Sequence, residues 1–442
     1  MSESSLLLTP ASGDLAAAVE FDAAMNYALA HNGISPLRRV QVSNSSLETL
    51  SNLQLEITLS APVEGRIAAP LRATLPPVAA RDTLAIGGSG VRWAFDAATF
   101  AQLDEAVTAA VTVRLFDATR MAHADGTLRL LARDEWWWST IPESLAAFVT
   151  PRAKAIQDLV GDASDILARE TGDPSIQGYQ GGADRAMAIA AAIYDAMRAR
   201  GIRYINPPAS FEGTGQKIRP PHEVLVDRWG TCLDLATTHA AALEHAGLHP
   251  VLVLCEGHAF SGHLLEEQQL PELVVRDPRV ILNYVESGLF IPVETVALCA
   301  GDNGGPFRHA IQATRDAGHW THGLDGVRCL IDVAAAHRSV RPLPPVSIQD
   351  GVRVVEVERT PAPAPAPVSR RPAEEPEREA RGGARPKRTY PPRVERWRNS
   401  LLDLSFRNPL LNMRGGNAAL DLHVPRGSLG TVEDMLFGGT SI

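Results

Sequence analysis

Hydrophobic and polar positions alternate in short runs through the first third of the chain. Residues 39–43 (RVQVS) and 53–59 (LQLEITL) have period 2, and 111–115 (VTVRL) and 127–131 (TLRLL) repeat it. Turn formers separate them: Gly65, Pro76, Pro77, Gly87, Gly88, Asp125 and Gly126. Short alternating runs broken by Gly and Pro predict an antiparallel β-sandwich. We place it at residues 25–138, after a flexible, Ala- and Ser-rich N-terminus at 1–24. Three consecutive tryptophans, Trp136, Trp137 and Trp138, end this region. Neighbouring strand residues point to opposite faces, so the three cannot share one side. Burial at the junction with the next domain is the expected outcome.

From residue 141 the period changes. Ala186, Ile189, Ala190, Ile193 and Met197 make one helical face, and Gly201 stops it. A Pro- and Gly-rich loop follows at 205–221. Next, Leu235, His239, Leu243 and Ala246 share a face of a second helix, which opens at Cys232 and ends at Gly247. Residues 251–254 read as a buried strand, followed by Gly257-His258-Ala259-Phe260. Residues 288–296 are another apolar segment, with Glu294 at its end. These elements predict an α+β domain over 139–348. Beyond it, PAPAPAP at 361–367 and a charged stretch mark a linker at 349–392. Residues 394–413 (VERWRNSLLDLSFRNPLLNM) carry an apolar stripe broken near Pro409, the start of a helical segment at 393–442 that ends without completing a domain.

Helix and strand order bring chemistry together. A thiol at a helix N-terminus has its thiolate favoured by unpaired backbone N–H groups and the dipole. A following strand can carry His258 to the sulfur, giving a Cys–His nucleophile pair. A third residue should orient the imidazole. Glu294 fits best, and Asp277 and Asp332 compete. An oxyanion hole needs N–H groups aimed at the developing charge. The Cys232 backbone N–H is one candidate, and Gln216 or the Trp229 indole could supply another. Arg219, in the same loop, is a further candidate for substrate support. Asp234, in the first helical turn, reads as a cap or a loop tether. His263 lies five residues past His258, which puts it on the opposite strand face. His239 and His245 read as packing or surface residues. Cys255, Cys299 and Cys329 sit in apolar settings and read as core.

Composition narrows the picture further. The net charge of −9 argues against a chain-wide coat for nucleic acid, leaving only the basic part of the linker as a contact. No apolar run of the ~18 residues needed for a membrane span is present, so no membrane partner is expected. The N-terminus lacks a basic n-region and a long apolar core, unlike a signal peptide. Four cysteines without CxxC spacing predict no structural zinc and no disulfide framework, and a cytoplasmic setting. We expect no metal and no cofactor. Gly213-Thr-Gly-Gln-Lys217 lacks the strand and the Ser/Thr of a phosphate-binding loop.

The order Cys on a helix start, His on one strand and acid on the next resembles the transglutaminase-like (papain-like) cysteine fold, over roughly residues 141–340. Ile202-Arg-Tyr204, Gly215-Gln-Lys-Ile-Arg219, GTCLDLA at 230–236 and GHAF at 257–260 resemble one subfamily of it. Its members stand at the front of large bacterial proteins, behind immunoglobulin-like modules. Those proteins also carry a DUF4011 domain of unknown function, a superfamily 1 helicase core and often a nuclease. Residues 394–413 resemble the opening of that DUF4011 domain. The resemblance implies a Cys232–His258–Glu294 triad and a protein or peptide substrate for a protease, amidase or acyltransferase. It also implies a helicase core as partner, in cis or in trans, a suspected antiphage role, and a gene product that continues past Ile442. A non-catalytic peptide-binding sensor gating the helicase is the alternative. Glu stands where the wider family usually has Asp.

Overall fold

Alternating burial runs further toward the N-terminus than the sequence reading placed it. In this computed structural model, which describes residues 5–88, 90–138, 141–206, 215–301, 304–317, 326–344, 346–349 and 352–355, strand β3 (Leu15–Asp22) buries Leu15, Ala17, Val19 and Phe21. Residues 5–24, expected to be flexible, therefore carry strands instead, and residues 1–4 lie outside the described residues. Ala at 16–18 dilutes the apolar alternation in sequence, yet every second residue still faces inward.

One sheet runs β1 (Ser5–Leu8), β3, β5 (Leu37–Asn44), β8 (Thr83–Gly87), with β2 (Ala11–Ser12) paired to β3. The other runs β4 (Ala24–Met25), β10 (Met121–Leu130), β9 (Val107–Phe116), β6 (Gln54–Ser60), β7 (Leu71–Thr74). Val19, Phe21, Val40 and Val42 from the first sheet share one core with Ile57, Val111, Val113 and Leu128 from the second. The N-terminal part is thus rich in sheet, with strand periodicity as its organising pattern.

Helix and sheet then mix. Helices α1 (Lys154–Thr171), α2 (Ala183–Ala199) and α3 (Cys232–His245) pack together. α1 ends at Gly172, whose left-handed φ of 77° is the backbone state a glycine adopts most cheaply. α3 lies on an antiparallel sheet built from β15 (Pro250–Cys255), β16 (His258–Leu264), β17 (Val274–Val275), β18 (Phe290–Val293) and β19 (Val327–Asp332). The sheet order is β17-β19-β15-β16-β18. Leu252, Leu254 and Ala259 face the helices, whereas Val251, Val253 and Phe260 belong to a smaller core on the other side. Both faces are covered, which explains why β15 reads as an unbroken apolar run rather than an alternating one.

Two short pairings tie the connecting segments to this core, and a third stands by itself. β11 (Glu135–Trp136), leaving the N-terminal sheets, pairs with β13 (Gln216–Lys217). β12 (Arg203–Tyr204) pairs in parallel with β14 (Trp229–Gly230), just ahead of α3. At the far end, Val346–Gln349 and Val352–Val355 form a hairpin. The second of these strands lies where the sequence reading begins the linker, and its valines favour the extended pairing that extends the ordered chain. The described residues all belong to one compact unit bounded at Pro361. The rest of the expected linker and the segment at 393–442 lie outside the described residues. No described helix is long and apolar enough to cross a membrane.

Candidate active site

The first turn of α3 is closed by a reciprocal cap. Thr231 Oγ1 accepts from the Asp234 N–H, and Asp234 Oδ2 accepts from the Thr231 N–H at 2.9 Å. This box fixes the helix start and places Cys232 as its first residue. Asp234 is fully buried, and burial pushes its carboxyl up, against the pull of hydrogen bonds from Thr231 and Arg219. Arg219 answers it twice, with its backbone N–H at 2.8 Å and its guanidinium at 2.9 Å. The Asp234 side chain thus both caps α3 and tethers the 205–221 loop, the two roles read from its position.

His258 opens β16, directly opposite Cys255 at the end of β15. Gly257 turns the chain between the two strands with φ of 70°. One ring nitrogen, Nε2, meets Glu294 Oε2 at 2.8 Å. The ring also hydrogen-bonds the Cys232 sulfur, and Nδ1 is the nitrogen left to do so. Glu294 follows β18 and caps the next turn. Its second oxygen accepts from the Val296 N–H at 3.0 Å, so the carboxylate cannot swing away from the imidazole. Burial alone would push the His258 pKa down. Hydrogen bonds from Cys232 and Glu294, with their negative charge, outweigh it and push the value up to about 10. The imidazolium is therefore the resting form at neutral pH.

The other two acids are committed elsewhere. Asp277 caps the helix Pro278–Glu286 through the Arg279 N–H, and Asp332 accepts from the Leu270 and Ala335 N–H groups. His263 is fully buried on the opposite face of β16 from His258, and His239 bonds Ser261 from within α3. His245 Nδ1 pairs with the Pro151 carbonyl. Cys255, Cys299 and Cys329 are buried, and burial pushes each thiol up to about 12.

The structure separates the three supporting residues. Gln216 is buried in the wall of the cleft that holds Cys232 and His258, with its amide donating to Thr231 Oγ1 at 3.1 Å. Trp229 does not line that cleft: it is 41 % exposed, with the Arg219 guanidinium stacked 4.8 Å above its ring. Arg219 pairs with Asp234 and lays its flat face over the indole, so these two expected support residues form one tether beside the cleft rather than part of its lining.

One neighbour of the sulfur escaped the sequence reading, which used Tyr204 only in the motif Ile202-Arg-Tyr204 and gave it no part in the site. Its hydroxyl hydrogen-bonds Cys232. Parallel pairing of Tyr204 with Gly230 puts it there, two residues from the cysteine. Burial, then the charge and hydrogen bond of the sulfur, raise the Tyr204 pKa, so the phenol stays protonated and donates. Tyr204→Phe should slow alkylation of Cys232 by iodoacetamide or alter its pH profile, since a donor to the thiolate is lost. An unchanged rate from pH 5 to 9 would show that the hydroxyl does not act on the sulfur.

Cys232 itself is 2 % exposed, at the floor of a narrow cleft. All three tryptophans at 136–138 line this cleft, with Leu254 and Arg328. Among the described residues no cluster of three or more His, Cys, Asp or Glu could hold a metal ion. No family model matches the chain, and no curated protein matches it. A solved structure, the crystal structure of a family 76 glycoside hydrolase from a bovine Bacteroides thetaiotaomicron strain, is 10% identical, with a TM-score of 0.12. That match covers 57% of this chain and 57% of that one.

Proposed function

We propose that this chain is a thiol acyl-transfer enzyme of the transglutaminase-like type, acting on a protein or peptide carboxamide through Cys232, His258 and Glu294. The observation that carries it is the continuous hydrogen-bonded series from sulfur to imidazole to a carboxylate fixed at both oxygens. In this reading the Cys232 thiolate attacks the carbonyl carbon. His258 gives its proton to the departing amine as the C–N bond breaks, leaving a thioester. The neutral imidazole then takes a proton from water or from a second amine, which attacks the thioester and releases the thiolate. Glu294 holds the ring in the tautomer and orientation both steps need. The Cys232 backbone N–H and the Gln216 amide are the candidates for the oxyanion.

The sandwich is read as an immunoglobulin-like module and the 139–348 region as the catalytic domain. The helicase partner and the antiphage role belong to the same proposal and rest on the sequence at 394–413. The near-complete burial of the sulfur, with Tyr204 as a second hydrogen-bond partner, favours one other reading: a cleft that binds a peptide without chemistry and gates the helicase.

Labelling separates the two. An enzyme should react with an electrophilic peptide probe at Cys232 alone, and Cys232→Ala should lose that labelling and any amide cleavage. Equal labelling of the Cys232→Ala protein would reject the nucleophile. A Cys232→Ala protein that folds and retains full biological activity would favour the binding reading.

A further inference from the structure

Part of the lining of the cleft that holds Cys232 and His258 is aromatic, and it comes from outside the elements that carry that pair. Trp136, Trp137 and Trp138 all line it. They leave the N-terminal sheets and are anchored where β11 pairs with β13. Trp136 is held by its indole N–H, which donates to Ser144 Oγ at 3.0 Å. Half-buried Trp138 stands edge-on to Trp136 at 6.1 Å, and the Arg328 guanidinium covers its ring at 5.4 Å. Leu233, Leu254 and Ala259 complete the apolar lining. A cationic side chain placed against it would lose water and meet aromatic carbon and the Arg328 guanidinium.

We propose that this wall selects acyl donors carrying an aromatic or large aliphatic side chain next to the carbonyl that Cys232 attacks. The proposal rests on the acyl-transfer reading and adds the substrate class to it. Each methylene that such a side chain buries against an apolar wall is worth roughly 10–200-fold in discrimination.

The test uses the full chain and a series of peptidyl acyloxymethyl ketones that differ only beside the reactive group: Phe, Leu, Gly, Asp and Lys. Iodoacetamide, which has no such side chain, serves as the control for the thiol. Phe and Leu probes should inactivate at least about 10-fold faster than Gly, with Lys slowest. Trp138→Ala should move the Phe-to-Gly ratio toward one. Equal rates across the wild-type series, or a preference for Asp or Lys, would overturn the proposal while iodoacetamide still labels Cys232, and this result needs no variant to fold. Failure of iodoacetamide and of every peptide probe to label Cys232 would overturn the nucleophile reading, and the proposal with it.

Discussion

His258→Ala should lower turnover of any amide that Cys232 cleaves by at least roughly 1,000-fold, because the proton donor to the leaving amine is gone. Glu294→Gln should cost roughly 100-fold or more while leaving the fold intact. The geometry dictates the second loss. Glu294 accepts at both oxygens, from the imidazole and from the Val296 N–H. A Gln can present its carbonyl to only one of them. If the carbonyl takes Val296, the amide N–H faces His258 Nε2 and forces the ring proton toward the sulfur, the wrong tautomer for accepting a proton there. The pH dependence gives an independent check. With His258 pushed up to about 10, the folded protein binds more protons than the unfolded chain between pH ~6.5 and ~10. This contribution to stability is therefore complete below pH ~6.5 and is lost as pH rises through 10. Glu294→Gln should flatten that alkaline limb in a thermal melt series and move the alkaline limb of Cys232 alkylation to lower pH. Parallel curves for the two proteins would show that Glu294 does not set the charge of His258.

Much of this arrangement could be read from the chain. Thr231 and Asp234 announce a capped helix start, so the position of Cys232 follows from local chemistry alone. The apolar run at 251–254 announces a strand leading to His258, although the turn at Gly257 makes His258 the first residue of the antiparallel partner strand rather than the close of that run. Residues 288–296 then carry Glu294 to the neighbouring strand. Each of these is a short-range signal. Tyr204 and the tryptophan wall are different in kind. Each arrives through a two-residue pairing, Tyr204 with Gly230 and Trp136 with Gln216, between segments 26 and 80 residues apart. Two residues have no period, so no pattern in the sequence reports such a contact. The same limit explains Arg219 and Trp229. Nothing in the spacing of GQKIR and WGTC shows that the guanidinium lies between a carboxylate and an indole. At the N-terminus the obstacle was composition: alanines gave strand β3 too little contrast between its faces.

Acidification should destabilise this protein well before its carboxylates titrate, and the cause lies behind the site. His239 and His263 are both fully buried between α3 and the sheet. His239 bonds Ser261 Oγ at 2.8 Å through Nδ1, packs edge-on against Tyr194, and has no protein partner at Nε2 among the described residues. Neither ring nitrogen of His263 has one. Burial pushes His239 down to about 3, with the charge of a protonated His263 adding to the effect, and burial pushes His263 down to about 4. Both folded values lie below the unfolded value near 6.5, so the unfolded chain binds more protons through that window. Stability therefore falls as pH drops below ~6.5 and goes on falling to about 4, where protonation of the folded state begins to match it. At pH 5 the two groups together withdraw on the order of 4 kcal/mol, a large share of the ~5–15 kcal/mol that holds a typical domain together. Urea midpoints measured from pH 7.5 to 4.5 read this directly. His263→Leu removes one titrating group from an apolar setting at similar volume, so its midpoint at pH 7.5 should be at or above the wild-type value. Its decline toward pH 5 should be about half as steep. A variant that declines as steeply as wild type would place the acid sensitivity elsewhere, with Asp234 and its Arg219 partner the next pair to test.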